Sequence, residues 1–260
     1  MDSPYLYKLL YSDKNQIDNL ENSITQLPNL DATQDDNLFQ NLSPADLSID
    51  KVNLNPVDLP PLTPLDSSNS VSSLSNVNNV PSYVKLDSQL SVEQYIKEND
   101  ISIICSTDGS CESGRGLAYY IKYPKGEIEK SFRAGNNSSA QYLEITALHQ
   151  CLVELSELNN KNEFPSSSKI LIITDSDYGA RALSTDLKKW LSCGFQKTDG
   201  KKLTHENIIK SSWELIVNLD STIIIGKVPG HKGIILNEKV DTMARRAAVR
   251  PVKQAVSFNF

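Results

Sequence analysis

From residue 101 onward, short apolar runs alternate with glycine-marked turns, and the order of those runs constrains the fold more than any other feature. ISIICST (101–107) reads as a buried strand. RGLAYYIKY (115–123) and GEIEKSFRA (126–134) alternate apolar and polar residues around the turn at Pro124-Lys125-Gly126, which predicts a hairpin. Between 138 and 160, Leu143, Ala147, Leu148, Cys151, Leu155 and Leu158 fall on one helical face. KILIITDS (169–176) is a short strand, followed by a helical stretch from Tyr178 to Leu191 and a Gly- and Lys-bearing loop. A helix of 204–218, the strand STIIIGKVPG (221–230) and a last helix over 237–249 complete the order βββαβααβα. Three antiparallel strands followed by βα crossovers predict an α/β domain: one mixed sheet with helices on its faces.

The residues upstream are of another kind. Residues 1–95 carry 13 acids and 4 lysines, a net of −9, whereas the remainder carries +3. Every glycine and arginine lies beyond residue 100, and 8 of the 12 prolines lie before residue 95, in stretches such as LNPVDLPPLTPLDSSNSVSSLSN. No apolar period of 2 or 3.6 persists there, so such a segment cannot bury enough surface to offset its ordering entropy. The expectation is a disordered acidic segment over 1–90, a folded α/β domain over 91–252 and a tail over 253–260. Leucines spaced between the acids fit a solvated spacer or a short motif for a protein partner. No apolar run approaches the roughly 18–20 residues of a membrane span, so no membrane contact is expected. The 4 cysteines show neither CxxC nor zinc spacing, which fits a reduced intracellular compartment, nuclear or cytoplasmic.

Four acids stand at the ends of elements. Asp108 closes the first strand, Glu144 lies one turn into the long helix among apolar neighbours, Asp175 closes the fourth strand and Asp241 sits in the final helix. Taken singly, an Asp after a strand is commonly a turn residue or an N-cap. Taken together, they lie where sheet edges gather ligands, outside the carboxyl ends of parallel strands. Bunched carboxylates raise one another's pKa and persist only when cations neutralise them; all-oxygen ligation favours Mg²⁺ or Mn²⁺ over Zn²⁺.

The residues around these acids are Ser106-Thr107-Asp108-Gly109-Ser110, Ser139-Ala140-Gln141-Tyr142-Leu143-Glu144, Ile173-Thr174-Asp175-Ser176, Val228-Pro229-Gly230-His231-Lys232-Gly233, and Asn237-Glu238-Lys239-Val240-Asp241-Thr242-Met243-Ala244. In this order and spacing, over about residues 98–250, the chain resembles the type I ribonuclease H family, particularly the form carried by retroviral and retrotransposon polyproteins. The resemblance implies the ribonuclease H-like fold, a five-stranded mixed sheet flanked by helices. It implies that Asp108, Glu144, Asp175 and Asp241 hold two Mg²⁺ ions, with Mn²⁺ as a substitute, and that His231 assists proton transfer or product release. The implied activity is endonucleolytic cleavage of the RNA strand of an RNA–DNA hybrid, leaving 5′-phosphate and 3′-hydroxyl ends.

Recognition of RNA at a cut site works through 2′-hydroxyls in the wide minor groove. By resemblance, Gly109, Ser110, Ser139, Gln141 and Ser176 line that groove or hold a phosphate. Residues 188–210 hold 6 lysines against Asp199 and Glu206, with Trp190 and Phe195 interleaved. Lysines bind phosphates through counterion release and aromatics offer stacking faces. In the family a basic protrusion here grips the DNA strand, which marks Lys188, Lys189, Trp190, Lys201 and Lys202. For Trp190, a place in the core is the competing reading. Departures from the family pattern are Asp177, where a neutral residue is frequent, Tyr142 two before Glu144, and the apolar Ile234-Ile235-Leu236. The competing class is an idle module of the same fold that binds hybrid or RNA, or serves as a polyprotein spacer; degenerate copies lose acids, and here all four are present.

Overall fold

The computed structural model of the chain describes residues 79–195 and 202–249. The expectations for residues 1–78, for the tail 253–260 and for Lys201 fall outside the described residues. Six strands, β1 (Ser82–Lys85), β2 (Ile103–Ser110), β3 (Gly116–Tyr123), β4 (Gly126–Arg133), β5 (Lys169–Thr174) and β6 (Thr222–Lys227), form one sheet in the order β1-β6-β5-β2-β3-β4. The helices are α1 (Gln89–Glu98), α2 (Ala140–Asn160), α3 (Asp177–Ala182), α4 (Thr185–Ser192), α5 (Glu206–Asn218) and α6 (Ile235–Ala248). β2, β3 and β4 run antiparallel, whereas β1, β6, β5 and β2 are mutually parallel neighbours. β2 therefore sits at the junction of the two halves.

Both faces of this sheet are covered, which is why β2, β5 and β6 are buried at nearly every position and not at alternate ones. On one face Ile103, Cys105, Ile121, Ile170, Ile172 and Ile225 pack with Ile145, Leu148, Leu152 and Leu155 of α2 and with Ile209 and Trp213 of α5. On the other, Ile104, Ala118, Tyr120, Leu171, Ile173 and Ile224 pack with Val92 and Ile96 of α1 and Val240 and Ala244 of α6. No described helix is long and apolar enough to cross a membrane. The four cysteines are free thiols, Cys105 and Cys151 within the core.

Two features depart from the sequence expectation. The mixed α/β sheet has six strands, not five. The added edge strand SYVK is four residues long and mostly exposed, and it pairs in parallel with β6, Ser82 opposite Ile224. So short a segment, flanked by Pro81 and Leu86, carries no readable period; the ordered domain extends into what reads as part of the N-terminal segment. α1 is then opened by Ser88, whose hydroxyl accepts from the Ser91 amide while the Ser91 hydroxyl accepts from the Ser88 amide. The stretch 178–191 is two helices, broken where Ser184 leaves helical dihedrals.

α6 lacks a side-chain cap of its own, since Ile234 holds the N-cap position. Gln89 of α1 fills part of that gap: its Oε1 accepts from the Ile235 amide at 3.0 Å. α1 thus braces the helix that carries Asp241. Ile96 is 1% exposed between α1 and the sheet. Ile96→Ala should lower stability by about 2–4 kcal/mol in urea denaturation, the scale of a core truncation; a loss below about 0.5 kcal/mol, the scale of an ordinary surface substitution, would show that α1 is not part of the cooperative core.

Candidate active site

Three acids meet at the carboxyl edge of the sheet. Asp108 is the sixth residue of β2 and only 6% exposed. Asp175 follows Thr174, the last residue of the adjacent parallel strand β5. Glu144 projects from the second turn of α2, a helix started by Ser139, whose hydroxyl accepts from the Tyr142 amide at 3.1 Å. α2 reaches β2 because residue 109 is glycine: a Cβ there would lie 2.8 Å from the Glu144 nitrogen and from Leu143 Cβ. One oxygen from each of Asp108, Glu144 and Asp175 lies within 4.8 Å of the others.

Burial, and then the charges of Asp175 and Asp241, push the Asp108 carboxyl up to about 7. Burial, and then Asp108 and Asp175, push Glu144 up to about 9. Glu144 Oε2 is buried without a hydrogen-bond partner, whereas Asp175 Oδ2 accepts from Asn237 Nδ2 at 3.0 Å. Gly230 makes room for Asp175, since a Cβ there would stand 2.9 Å from Oδ2. An orphaned carboxylate oxygen among converging, mutually repelling acids is a donor set that fits a hard divalent cation.

Asp241, expected in the same nest, stands at its border. It is near enough to raise Asp108, but its close partners are His231 and Glu238, with which it forms a second group of donors within 4.8 Å. Arg245 Nε donates to Asp241 Oδ1 at 2.8 Å, its Nη2 is 3.5 Å from His231 Nε2, and its Nε is 3.5 Å from Glu112 Oε2. His231 Nδ1 lies 3.8 Å from Asp241 Oδ2, and His231 holds a left-handed backbone with φ of 52° on an exposed loop.

The expected substrate-facing residues divide. Gly109 and Ser110 follow Asp108 directly; Ser139 and Gln141 open the helix of Glu144; Ser176 adjoins Asp175 and caps α3, accepting from the Gly179 amide at 3.0 Å. All five are chain neighbours of the three acids. Lys188 and Lys189 are exposed on α4, and Lys202 is exposed beyond the loop. Trp190 is half-buried and packs on the core, which favours its structural role.

Asn237 and Arg245 have no role in the sequence reading, although Asn237 lies inside a quoted block; a polar residue in an apolar helix start was the available signal. An aromatic group was also not foreseen: Tyr142 and Tyr178 flank the His205 ring at 5.6 Å each, and the Tyr178 hydroxyl lies 3.0 Å from His205 Nδ1. It ties α2, α3 and the start of α5 together.

The RNase H family model matches residues 100–249. Among curated proteins, the chain is 32% identical over 145 residues to the Pro-Pol polyprotein of Feline foamy virus, covering 54% of this chain and 12% of that one. It is 30% identical over 149 residues to the Ribonuclease H of Tropheryma whipplei (strain Twist), covering 56% of this chain and 84% of that one. A solved structure described as the PFV RNase H domain is 25% identical, with a TM-score of 0.44, over 56% of this chain and 94% of that one.

The carboxyl shifts make stability depend on pH. Asp108 and Glu144 hold protons in the native state at pH values where the unfolded chain has released them. Their contribution is present at low pH and is lost as pH rises through about 7 and about 9. The buried His149, pushed down to about 4, acts in the opposite sense only below its ordinary range near pH 6.5. Between pH 6.5 and 9, the melting temperature of the metal-free protein should therefore fall, and Glu144→Gln should flatten that fall. Equal slopes in scanning calorimetry for the two proteins would contradict it.

Proposed function

This chain belongs to the ribonuclease H family, and on that premise we propose that it is an endonuclease hydrolysing the RNA strand of RNA–DNA hybrids, retroelement-derived in origin. The observation that carries this reading is the convergence of Asp108, Glu144 and Asp175 with a buried, unpartnered oxygen on Glu144. The 32% identity to a foamy virus polyprotein supports the proposed origin.

In this reading Asp108, Glu144 and Asp175, with Asp241 at the border, hold two Mg²⁺ ions, for which Mn²⁺ substitutes. Bound there, such ions lower the pKa of water and stabilise charge on attacking and leaving oxygens of a phosphodiester. The side chains do the remaining work. Asn237 fixes the rotamer of Asp175 through Oδ2, leaving Oδ1 free for ligation. Arg245 holds Asp241 and adjoins His231, so the imidazole stays beside the acids although its loop is exposed. His231 then carries protons between the leaving oxygen and solvent through its ring nitrogens. Gly109, Ser110, Ser139, Gln141 and Ser176 line the edge where a ribose 2′-hydroxyl can be read. Lys188, Lys189 and Lys202 contact backbone phosphates. The products carry 5′-phosphate and 3′-hydroxyl ends. Retention of all four acids supports the active enzyme over an idle module of the same fold.

The full chain, given labelled hybrid, double-stranded RNA and double-stranded DNA in Mg²⁺ or Mn²⁺, should cut only the RNA of the hybrid, and Asp108→Asn or Asp175→Asn should abolish cutting. Equal cutting of all three substrates would reject hybrid selectivity; no cutting with either ion would favour the idle module. His231→Ala should reduce kcat by about 10²-fold, on the scale of general acid–base catalysis, with divalent-ion binding retained. An unchanged kcat would remove His231 from the mechanism.

A further inference from the structure

The carboxyl edge holds a cation that neither the four-acid arrangement nor the basic protrusion accounts for. Lys227 is the last residue of β6, paired in register with Thr174, one residue before Asp175. Its side chain is only 13% exposed. Lysine is almost never so buried without a partner, because its ammonium is strongly hydrated. Its Nζ donates to the Val228 carbonyl at 2.9 Å and lies 3.6 Å from Asp177 Oδ1. Asp177 opens α3, two residues after Asp175, with its side chain 83% exposed. This is the acid that departs from the family pattern. The two residues are thus one charge unit on the rim of the nest: a fixed, nearly dry cation on the inside and an acid on the outside. The field of Lys227 reaches Glu144 and favours its ionised form. Lys85, the register partner of Lys227 on β1, is turned to Asp87 at 3.6 Å and does not take its place.

We propose that Lys227 and Asp177 are a charge-balancing pair that sets how tightly the Asp108–Glu144–Asp175 nest takes a divalent cation and keeps Asp177 from repelling the nucleic-acid backbone. The proposal rests on the metal-nest reading above. Lys227 is a positioning residue: it acts through the acids and touches no reacting atom. Its charge lets three acids stand together before a cation arrives, at the cost of opposing that cation. Asp177 attenuates this opposition. Each partner removed alone therefore unbalances the rim in the opposite direction.

The sign pattern is the test. Divalent-ion affinity is measured by titration calorimetry of the full chain with MgCl₂ and with MnCl₂, and hybrid affinity by fluorescence anisotropy without divalent ions over a range of KCl. Lys227→Met should tighten ion binding by about three- to tenfold, the scale of one partly screened charge, and weaken hybrid binding. Asp177→Asn should weaken ion binding by a similar factor and tighten hybrid binding. The double variant should return both affinities to within about twofold of the original, since the two opposite charge changes cancel. Lys227→Arg, which keeps the charge, should match the original. Unchanged ion affinity in folded Lys227→Met, or single variants shifting in the same direction, would overturn the pair. Should Lys227→Met fail to fold, the exposed Asp177→Asn decides alone, and unchanged ion affinity there overturns the proposal. If the unaltered chain takes up neither ion, the nest reading falls, and the pair falls with it; binding by the unaltered chain with no response to the variants removes only the pair.

Discussion

Repulsion between largely buried carboxylates is the constraint around which the rest of this domain is arranged. Three acids within reach of one another raise the cost of ionising each, and that cost grows as water is excluded. A chain left to minimise its own energy would point them apart. Here backbone placement prevents it. Asp108 and Asp175 are fixed by adjacent parallel strands, and Glu144 is brought in by a helix that comes close only because residue 109 has no side chain. The packing of α2 over one face and α6 over the other supplies the stabilisation that holds the acids at this distance.

Long, strongly patterned elements were legible from the residues. The hairpin β3–β4, the strands β2, β5 and β6, and α2, α5 and α6 all follow apolar runs whose length and period reflect a sheet covered on both faces. What escaped was local or long-range. SYVK is too short to show a period, and its pairing with β6 depends on residues some 140 positions away. The break between α3 and α4 turns on Ser184, a residue that a propensity argument passes over. At the site, the acids were legible because strand ends and element order put them at one edge. The position of Asp241 was not, because it depends on Arg245, one turn further along α6, and on a loop in a left-handed conformation at His231. Lys227 had no signal at all: it is a lysine at the end of an apolar strand, and only the fold reveals that it points to the acids' side and is nearly dry.

Two helix starts near the acids are capped by serine hydroxyls. Ser139 and Ser176 each satisfy a free amide at the start of a helix, and each stands beside an acid of the nest. Their hydroxyl protons remain available, since the caps use only the oxygen's acceptor side.

The bond from the Ile235 amide to Gln89 has a consequence for synthesis on the ribosome. It joins residues 146 positions apart, near the two ends of the ordered domain. As α1 emerges, β2, β3, β5 and β6, on which it packs, and α6 have not been made. The early helix can cover Val92 and Ile96 only in part, against β2, β3 and β5, until β6 and α6 follow. The brace on the helix that carries Asp241 therefore forms only once both ends of the ordered domain have been made.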